Sequence, residues 1–331
     1  MKVLVVKMSS LGDVIHTLPA LSDAALAIPG IRFDWVVEEA FAELPGWHPA
    51  VDRVIPVAIR RWRKNPFREF TGPEWRAARA ALGARAYAAV IDAQGLLKSA
   101  FITRLVTAPR YGMDKRSARE RLAALAYEHP VHVPRDMHAV ERTRLLFALA
   151  LDYPLPSTPG DYGLRVSLPQ GPTDLPPGLL FFHGTARAEK LWPEEHWVRL
   201  AQTAGEAGYQ VWLPWGNDIE RERAERLAKG GDNMQVLPRL GLLELARMLL
   251  QARAAVAVDT GLGHLSAALD VPTVSLYGPT STRLIGAYGA NQVHIESPLG
   301  GASGAAPAAM MQAITPAQVW LALQAIIPGA A

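Results

Sequence analysis

The chain has 331 residues, half of them hydrophobic and 20% charged, which is enough for two domains with filled cores and too apolar for disorder. It has no cysteine, which excludes disulfides, thiolate catalysis and cysteine metal sites, and its nine histidines show neither HExxH nor HxH spacing, so no metal is expected. The net charge of +3 hides a lopsided distribution: between positions 60 and 121 stand 15 Lys and Arg against 5 Asp and Glu, pointing to an anionic partner for the first half.

Residues 2–7 (KVLVVK) predict a buried strand. The apolar run at 3–6 is too short for a signal peptide, and no later stretch is long enough to span a bilayer, so a cytoplasmic protein is expected. Residues 9–13 (SSLGD) make a loop, 14–28 an amphipathic helix ending at Pro29-Gly30, and 33–37 and 54–58 two further strands. A helix is expected over 73–82 and a strand over 88–91. That strand ends in Asp92, Ala93, Gln94 and Gly95, and a helix follows over 96–106. The next helix, 138–151, carries Glu141 placed to pair with Arg144 or Arg142 on its surface.

From 153 to 177 the chain thins into Pro, Gly, Ser and Asp, the signature of a domain boundary and linker. The alternation then restarts: strands at 178–182, 210–213, 235–237, 254–258 and 273–276, helices at 194–207, 218–228, 242–252 and 262–269. The last helix is announced by Thr315 as its N-cap and Pro316 at its first position. Two such series predict an α/β architecture of two doubly wound parallel sheets facing each other across a cleft, with ligands outside the carboxyl ends of the strands.

The stretch 254–280 is the most suggestive. A strand that stops at Asp259-Thr260-Gly261 and turns at once into a helix aims free N–H groups and a positive helix end at one point, a natural phosphate site. The competing reading is an ordinary junction capped by Asp259 or Thr260. Asp259 suits hydroxyls better than phosphate, which suggests a sugar nucleotide. His264, on the first turn, either donates to a phosphate or simply packs.

Asp13, between Gly12 and the first helix, is stabilised as an anion by the helix end and could act as a general base, or serve only the helix. The loop 183–190 (HGTARAEK) offers the Thr185 hydroxyl and the cations Arg187 and Lys190, the latter able to neutralise a departing diphosphate or to be an ordinary surface charge. Glu220 opens another helix and could accept from ribose hydroxyls or compensate the dipole. Arg60, Arg61, Arg63 and Lys64, with Trp62 between them, form the densest basic patch. Lys98 and Arg119 lie in the same half. Without a nucleic-acid motif, a multiply anionic acceptor fits this patch at least as well as DNA.

Three separated segments, VKMSSLGDVIHTLPAL, HGTARAEKLWPEEHW and VDTGLGHLSAALDVPTVSLYGPT, resemble the ADP-heptose:lipopolysaccharide heptosyltransferases, glycosyltransferase family 9. The Ser-Leu-Gly-Asp form at 10–13 resembles the members that add the first heptose rather than the second. The resemblance implies a GT-B fold of two Rossmann-like domains, 1–165 for the acceptor and 175–314 for the donor, with the last helix (315–328) crossing back to the first. It implies an inverting, metal-independent transfer of L-glycero-D-manno-heptose from ADP-heptose to Kdo2-lipid A, with no other cofactor and no nucleic acid. The place of action would be the cytoplasmic face of the inner membrane.

By motif, Asp13 matches the general base, and Thr185, Lys190, Glu220, Asp259, Thr260, Gly261 and His264 match donor-binding positions. Ala186 stands where family members can carry a second Thr, and Leu240 matches a position lining the adenine. Arg60, Arg61, Arg63 and Lys64, with Lys98 and Arg119, correspond to the acceptor region. Readings from outside the leading one are an enzyme adding the second heptose and a non-catalytic anionic-lipid or nucleic-acid binding protein. A dehydrogenase is disfavoured because neither first strand leads into GxGxxG.

Overall fold

Twelve strands in the described residues form two parallel sheets of six. The computed structural model describes residues 1–164, 178–300 and 305–327, and the chain divides into two units, Met1–Ser167 and Leu168–Ala331. Residues 165–177 of the expected linker and residue 328 of the expected last helix lie outside the described residues.

The first unit contains β1 (Lys2–Val6), β2 (Arg32–Glu38), β3 (Val51–Val57), β4 (Ala89–Asp92), β5 (Arg110–Met113) and β6 (His129–Val131), in the order β3-β2-β1-β4-β5-β6. The second contains β7 (Gly178–Phe182), β8 (Gln210–Leu213), β9 (Met234–Val236), β10 (Ala254–Val258), β11 (Thr273–Tyr277) and β12 (Gln292–Glu296), in the order β12-β11-β10-β7-β8-β9. Counted within its own unit, each sheet follows the same doubly wound order. The strand direction of winding reverses between β1 and β4 in one and between β7 and β10 in the other, the places where such sheets open a ligand crevice.

Burial follows the sequence logic. Val3 to Val6 and Ala254 to Val258 are wholly inaccessible, as expected of central parallel strands covered on both faces. Leu4, Val6, Trp62, Trp75 and Val90 share one core of the first unit. Phe181, Trp192 and Trp197 anchor the core of the second.

Several expectations change. The helix expected over 14–28 is two helices, Leu11–Ile15 and Leu18–Ala27, because Pro19 has no N–H to continue the ladder through His16 and Thr17. Arg144 is not on the surface of helix Ala139–Leu151 but buried. Its guanidinium donates to Glu141 and, at 2.6 Å, to Asp23 of helix Leu18–Ala27, joining the two helices. Thr315 does cap helix Pro316–Ile326, with a reciprocal bond between Thr315 N–H and Gln318 Oε1 at 2.9 Å. Val319, Leu323 and Ile327 of that helix insert into the core built by Trp197, Leu200 and Leu276. Its apolar stripe finds its complement there.

Candidate active site

In the first unit the loops after β1 and β4 flank the crossover and are tied to each other. Asp92 closes β4, and its carboxylate accepts from the N–H groups of Gln94 (2.9 Å) and Gly95 (3.0 Å) and from the Tyr127 hydroxyl (2.8 Å). Burial pushes the Asp92 carboxyl above its ordinary range, partly offset by those donors. The turn it holds presents Gln94, whose Oε1 accepts from the N–H groups of Met8 (2.9 Å) and Ser9 (3.0 Å) while its amide donates to Ser9 O at 2.6 Å. The backbone leading to Asp13 is thereby fixed by a side chain from the turn after β4, 86 residues beyond Met8.

Asp13 stands in the first turn of helix Leu11–Ile15. Its Oδ2 accepts from the Ser10 N–H (2.8 Å) and hydroxyl (3.0 Å), and its Oδ1 faces the Lys7 ammonium at 3.7 Å. Burial would raise the carboxyl, but the charge of Lys7, the Ser10 N–H and the charge of Arg119 outweigh it and hold Asp13 below its usual range. Lys7 is itself buried, donating to Ala93 O at 2.8 Å, and burial lowers its ammonium despite the neighbouring Asp13. Asp13 is therefore an anion throughout the neutral range, partly open to solvent on the remaining side.

The basic residues gather around this point unequally. Lys98 donates to Ser9 Oγ at 3.0 Å; its ammonium is lowered first by burial, then by the cations Arg60 and Arg63, against the pull of Glu38. Glu38 is buried, and burial raises its carboxyl although it accepts the Arg60 N–H at 3.1 Å. Arg60 and Arg61 belong to the short helix Ile59–Trp62. Arg61 is engaged by two carboxylates, Glu39 (3.0 Å) and Glu74 (2.7 Å), and is not the free cation expected of a phosphate ligand. Arg60, Arg63, Lys64 and Arg119 are exposed and make no ion pair among the described residues, so they are the open cations of this patch.

In the second unit the loops after β7 and β10 are joined in the same way. The Thr185 hydroxyl donates to Asp259 O at 3.1 Å, and the Lys190 ammonium lies 2.6 Å from Asp259 Oδ2, both side chains nearly buried. The sequence placed Lys190 and Asp259 in one site but not in contact. Thr260 is the N-cap of helix Gly261–Ala268, with no side-chain capping bond, so the cap hydroxyl and the first N–H groups of the helix are open to a ligand. His264 is buried one turn on. Ala186 is exposed and has no hydroxyl, whereas His183, at the strand end, is wholly buried and pushed by burial down to about 4.

Beside these groups lies a cavity of about 170 Å³ walled by Pro214, Trp215, Leu240, Leu242, Leu245 and Leu262, with Glu220 at its edge. Glu220 accepts the Gly216 N–H at 2.8 Å and is backed by Gly184: a Cβ on Gly184 would sit 2.8 Å from its Cδ. Only glycine allows the β7 loop and Glu220 to approach so closely. An apolar slot, a carboxylate, an ammonium and a helix N-terminus in sequence suit a base, a ribose and a diphosphate. Lys7, Gln94 and Gly184 lie within stretches that the sequence singles out, but it assigns them no role, because each acts through a partner distant in the chain. Among the described residues no group of three His, Cys, Asp or Glu side chains could hold a metal ion.

The family model for glycosyltransferase family 9 (heptosyltransferase) matches residues 75–307. The chain belongs to glycosyltransferase family 9. Lipopolysaccharide heptosyltransferase 1 of Pseudomonas aeruginosa is 60% identical over 302 residues, covering 90% of this chain and 84% of that protein. The enzyme of the same name from Escherichia coli K12 is 54% identical over 300 residues, covering 90% and 94%. Among solved structures, the E. coli heptosyltransferase WaaC with ADP superposes with a TM-score of 0.89 at 49% identity over the whole of both chains. The WaaC structure with ADP-2-deoxy-2-fluoro heptose gives 0.86 at 48% identity, covering 98% and 99%. The family's heptosyltransferase II from E. coli, at 22% identity and a TM-score of 0.77, shares the GT-B fold.

Proposed function

We propose that this family 9 glycosyltransferase moves L-glycero-D-manno-heptose from ADP-heptose to a Kdo hydroxyl of Kdo2-lipid A, adding the first heptose of the lipopolysaccharide inner core. Its nearly full-length similarity to lipopolysaccharide heptosyltransferase 1 proteins supports the acceptor, and the WaaC structure with a fluoro-heptose analogue supports the donor.

The observation that carries the reading is the apolar cavity edged by Glu220, beside the Lys190–Asp259 pair and the open cap at Thr260 and Gly261. Leu240 and Leu262 pack on adenine, Glu220 accepts from the ribose, and Lys190 with the helix end holds the diphosphate. Asp259 and Thr185 face the sugar side, with His264 behind the first turn. Asp13 takes the proton of the acceptor hydroxyl as that oxygen bonds to the anomeric carbon. The bond to the diphosphate breaks on the opposite face, its electron pair leaves with ADP, and the anomeric centre inverts. Lys190 neutralises the charge that grows on the diphosphate, an interaction stronger in the transition state than before it. Arg60, Arg63, Lys64, Lys98 and Arg119 receive the acceptor's phosphates and carboxylates. Because that acceptor is a lipid, the enzyme works as a peripheral protein at the cytoplasmic face of the inner membrane.

Mass spectrometry of Kdo2-lipid A incubated with ADP-heptose and the enzyme tests the reading. One added heptose is expected. Transfer only to an acceptor that already bears a heptose would assign the second step instead, and tight DNA binding without sugar-nucleotide binding would remove the enzyme altogether.

A further inference from the structure

Residues Arg121–Ala126 form a single 3-10 helix with the sequence RLAALA. Side chains three apart eclipse on such a helix, so Leu122 and Leu125 share a face, and they are 63% and 61% exposed. The alanines of the same helix, Ala123, Ala124 and Ala126, are buried against Ala100 of helix Leu97–Thr103. The usual preference is inverted: the small side chains are inside and the large apolar ones outside. Helix Leu97–Thr103 buries Ile102 in the core but turns Leu97 and Phe101, one turn apart, outward, 51% and 47% exposed. The two segments are held side by side by the Leu97 N–H, which donates to Glu120 at 2.5 Å.

The two segments that carry this apolar face are rich in cations. Within 97–104 and 119–126 stand Lys98, Arg104, Arg119 and Arg121, and the single acid, Glu120, is occupied by the Leu97 N–H. Phe101 also stacks on Trp75 at 5.8 Å, and Trp75 meets Trp62 edge-on at 5.7 Å. Phe101 thus sits at the edge of a buried ring cluster that backs the helix carrying Arg60 and Arg61. Apolar side chains on segments rich in arginine suit a surface that offers acyl chains beneath a layer of phosphates. A second copy of this chain does not suit it, because its own cations would be opposed.

We propose that Leu97, Phe101, Leu122 and Leu125 are the side chains that dock this protein on an anionic lipid bilayer, inserting at the headgroup boundary while Arg104, Arg119 and Arg121 engage phosphates. The inference rests on the peripheral-membrane part of the function proposed above and names the surface responsible. The test is co-sedimentation, without donor or acceptor, with vesicles of equal parts phosphatidylethanolamine and phosphatidylglycerol, and with phosphatidylcholine vesicles as the uncharged control. The wild-type chain should pellet with the anionic vesicles. The double variant Leu122→Gln/Leu125→Gln should bind them on the order of tenfold more weakly while keeping its melting temperature and its turnover of a water-soluble deacylated acceptor. Leu122→Trp should bind at least as well as wild type. Unchanged pelleting of the double variant would overturn the proposal, and so would dissociation of a wild-type dimer into monomers on the same substitutions. Loss of heptose transfer with intact vesicle binding would count against the proposed reaction alone.

Discussion

The Lys190 ammonium lies 2.6 Å from the Asp259 carboxylate, across the point where the second sheet reverses its winding. One partner follows β7 and the other follows β10, so the pair sets the separation of the two loops before any ligand arrives. Removing one partner of a buried pair costs about 3–5 kcal/mol, and less where a side chain keeps contact with water. Lys190→Met should therefore lower the melting temperature as well as ADP affinity. The double variant Lys190→Met/Asp259→Asn separates the two effects: stability should return and affinity should not. Recovery of ADP binding in the double variant, measured by calorimetry, would show that Lys190 serves the fold and not the diphosphate.

Asp13 accepts two hydrogen bonds from Ser10, so its removal has a structural cost besides any chemical one. Loss of such a helix-start acceptor is worth about 1 kcal/mol. Loss of a general base is worth about a hundredfold to ten-thousandfold in rate. Asp13→Asn should therefore lose that much of kcat in a heptose-transfer assay, with only a small fall in melting temperature and unchanged ADP affinity. Near-wild-type turnover would dismiss Asp13 as the base.

Gln94 is the clamp behind that aspartate. Truncation to alanine leaves the Met8 and Ser9 N–H groups without their acceptor in a buried place, at about 1–3 kcal/mol for each donor. The expected signature of Gln94→Ala is a reduced kcat with the KM for ADP-heptose intact, since the donor groups belong to the other unit. Gln94→Glu keeps the acceptor oxygen and should recover part of the rate. Equal rates for the two variants would remove the positioning role.

The protonation of this cluster gives a pH dependence of defined sign. Asp13 is held below its ordinary range, so its contribution to stability is present above the unfolded value and is lost as pH falls through the folded one. Lys7 is lowered by burial, so its charged form costs stability at neutral pH, a cost relieved as pH rises from the lowered value towards 10.5. Lys7→Met removes the nearest cation from Asp13 and leaves its burial in place. The acid limb of the kcat/KM profile should then move to higher pH. A limb that does not move would mean that Asp13 and Lys7 are not coupled in the working enzyme.

The sequence was most legible where burial is complete. β1, β4, β7 and β10 are short continuous apolar runs, and a doubly wound order places ligands outside the carboxyl ends of such strands. β5 (RYGM), β6 (HPV) and β12 (QVHIE) carry no such signal, because they lie towards sheet edges and take their extended form from the neighbouring strand. The same limit applies to the site. Asp13, Thr260 and Gly261 announce themselves by standing between a strand and a helix, whereas the Lys190–Asp259 bond joins residues 69 apart. Lys7 read as the charge that ends a strand, and only the fold reveals that it faces Asp13. Arg61 read as one more open cation until Glu39 and Glu74 were found to hold it. The outward leucines at 122 and 125 break the usual pattern of burial, so periodicity could not have found them.

Gly184 offers a test of the donor site that replaces none of the proposed ligand-contacting side chains. Its φ is not in the left-handed region, so alanine brings no backbone strain, and the only consequence is the new methyl group 2.8 Å from Glu220 Cδ. Glu220 can yield by rotating away, which gives up its bond to the Gly216 N–H and its position at the cavity edge. Overpacking of this kind costs about 1–3 kcal/mol when the neighbour cannot move, and less when it can. Gly184→Ala should thus weaken ADP and ADP-heptose alike, by about tenfold for the one hydrogen-bonding group displaced. Glu220→Ala should weaken them to a similar degree. In the double variant the methyl meets no carboxylate, so the two losses should not add. Calorimetric titration of ADP into the four proteins completes the cycle, and strictly additive losses would show that Gly184 acts on the donor by a route other than Glu220.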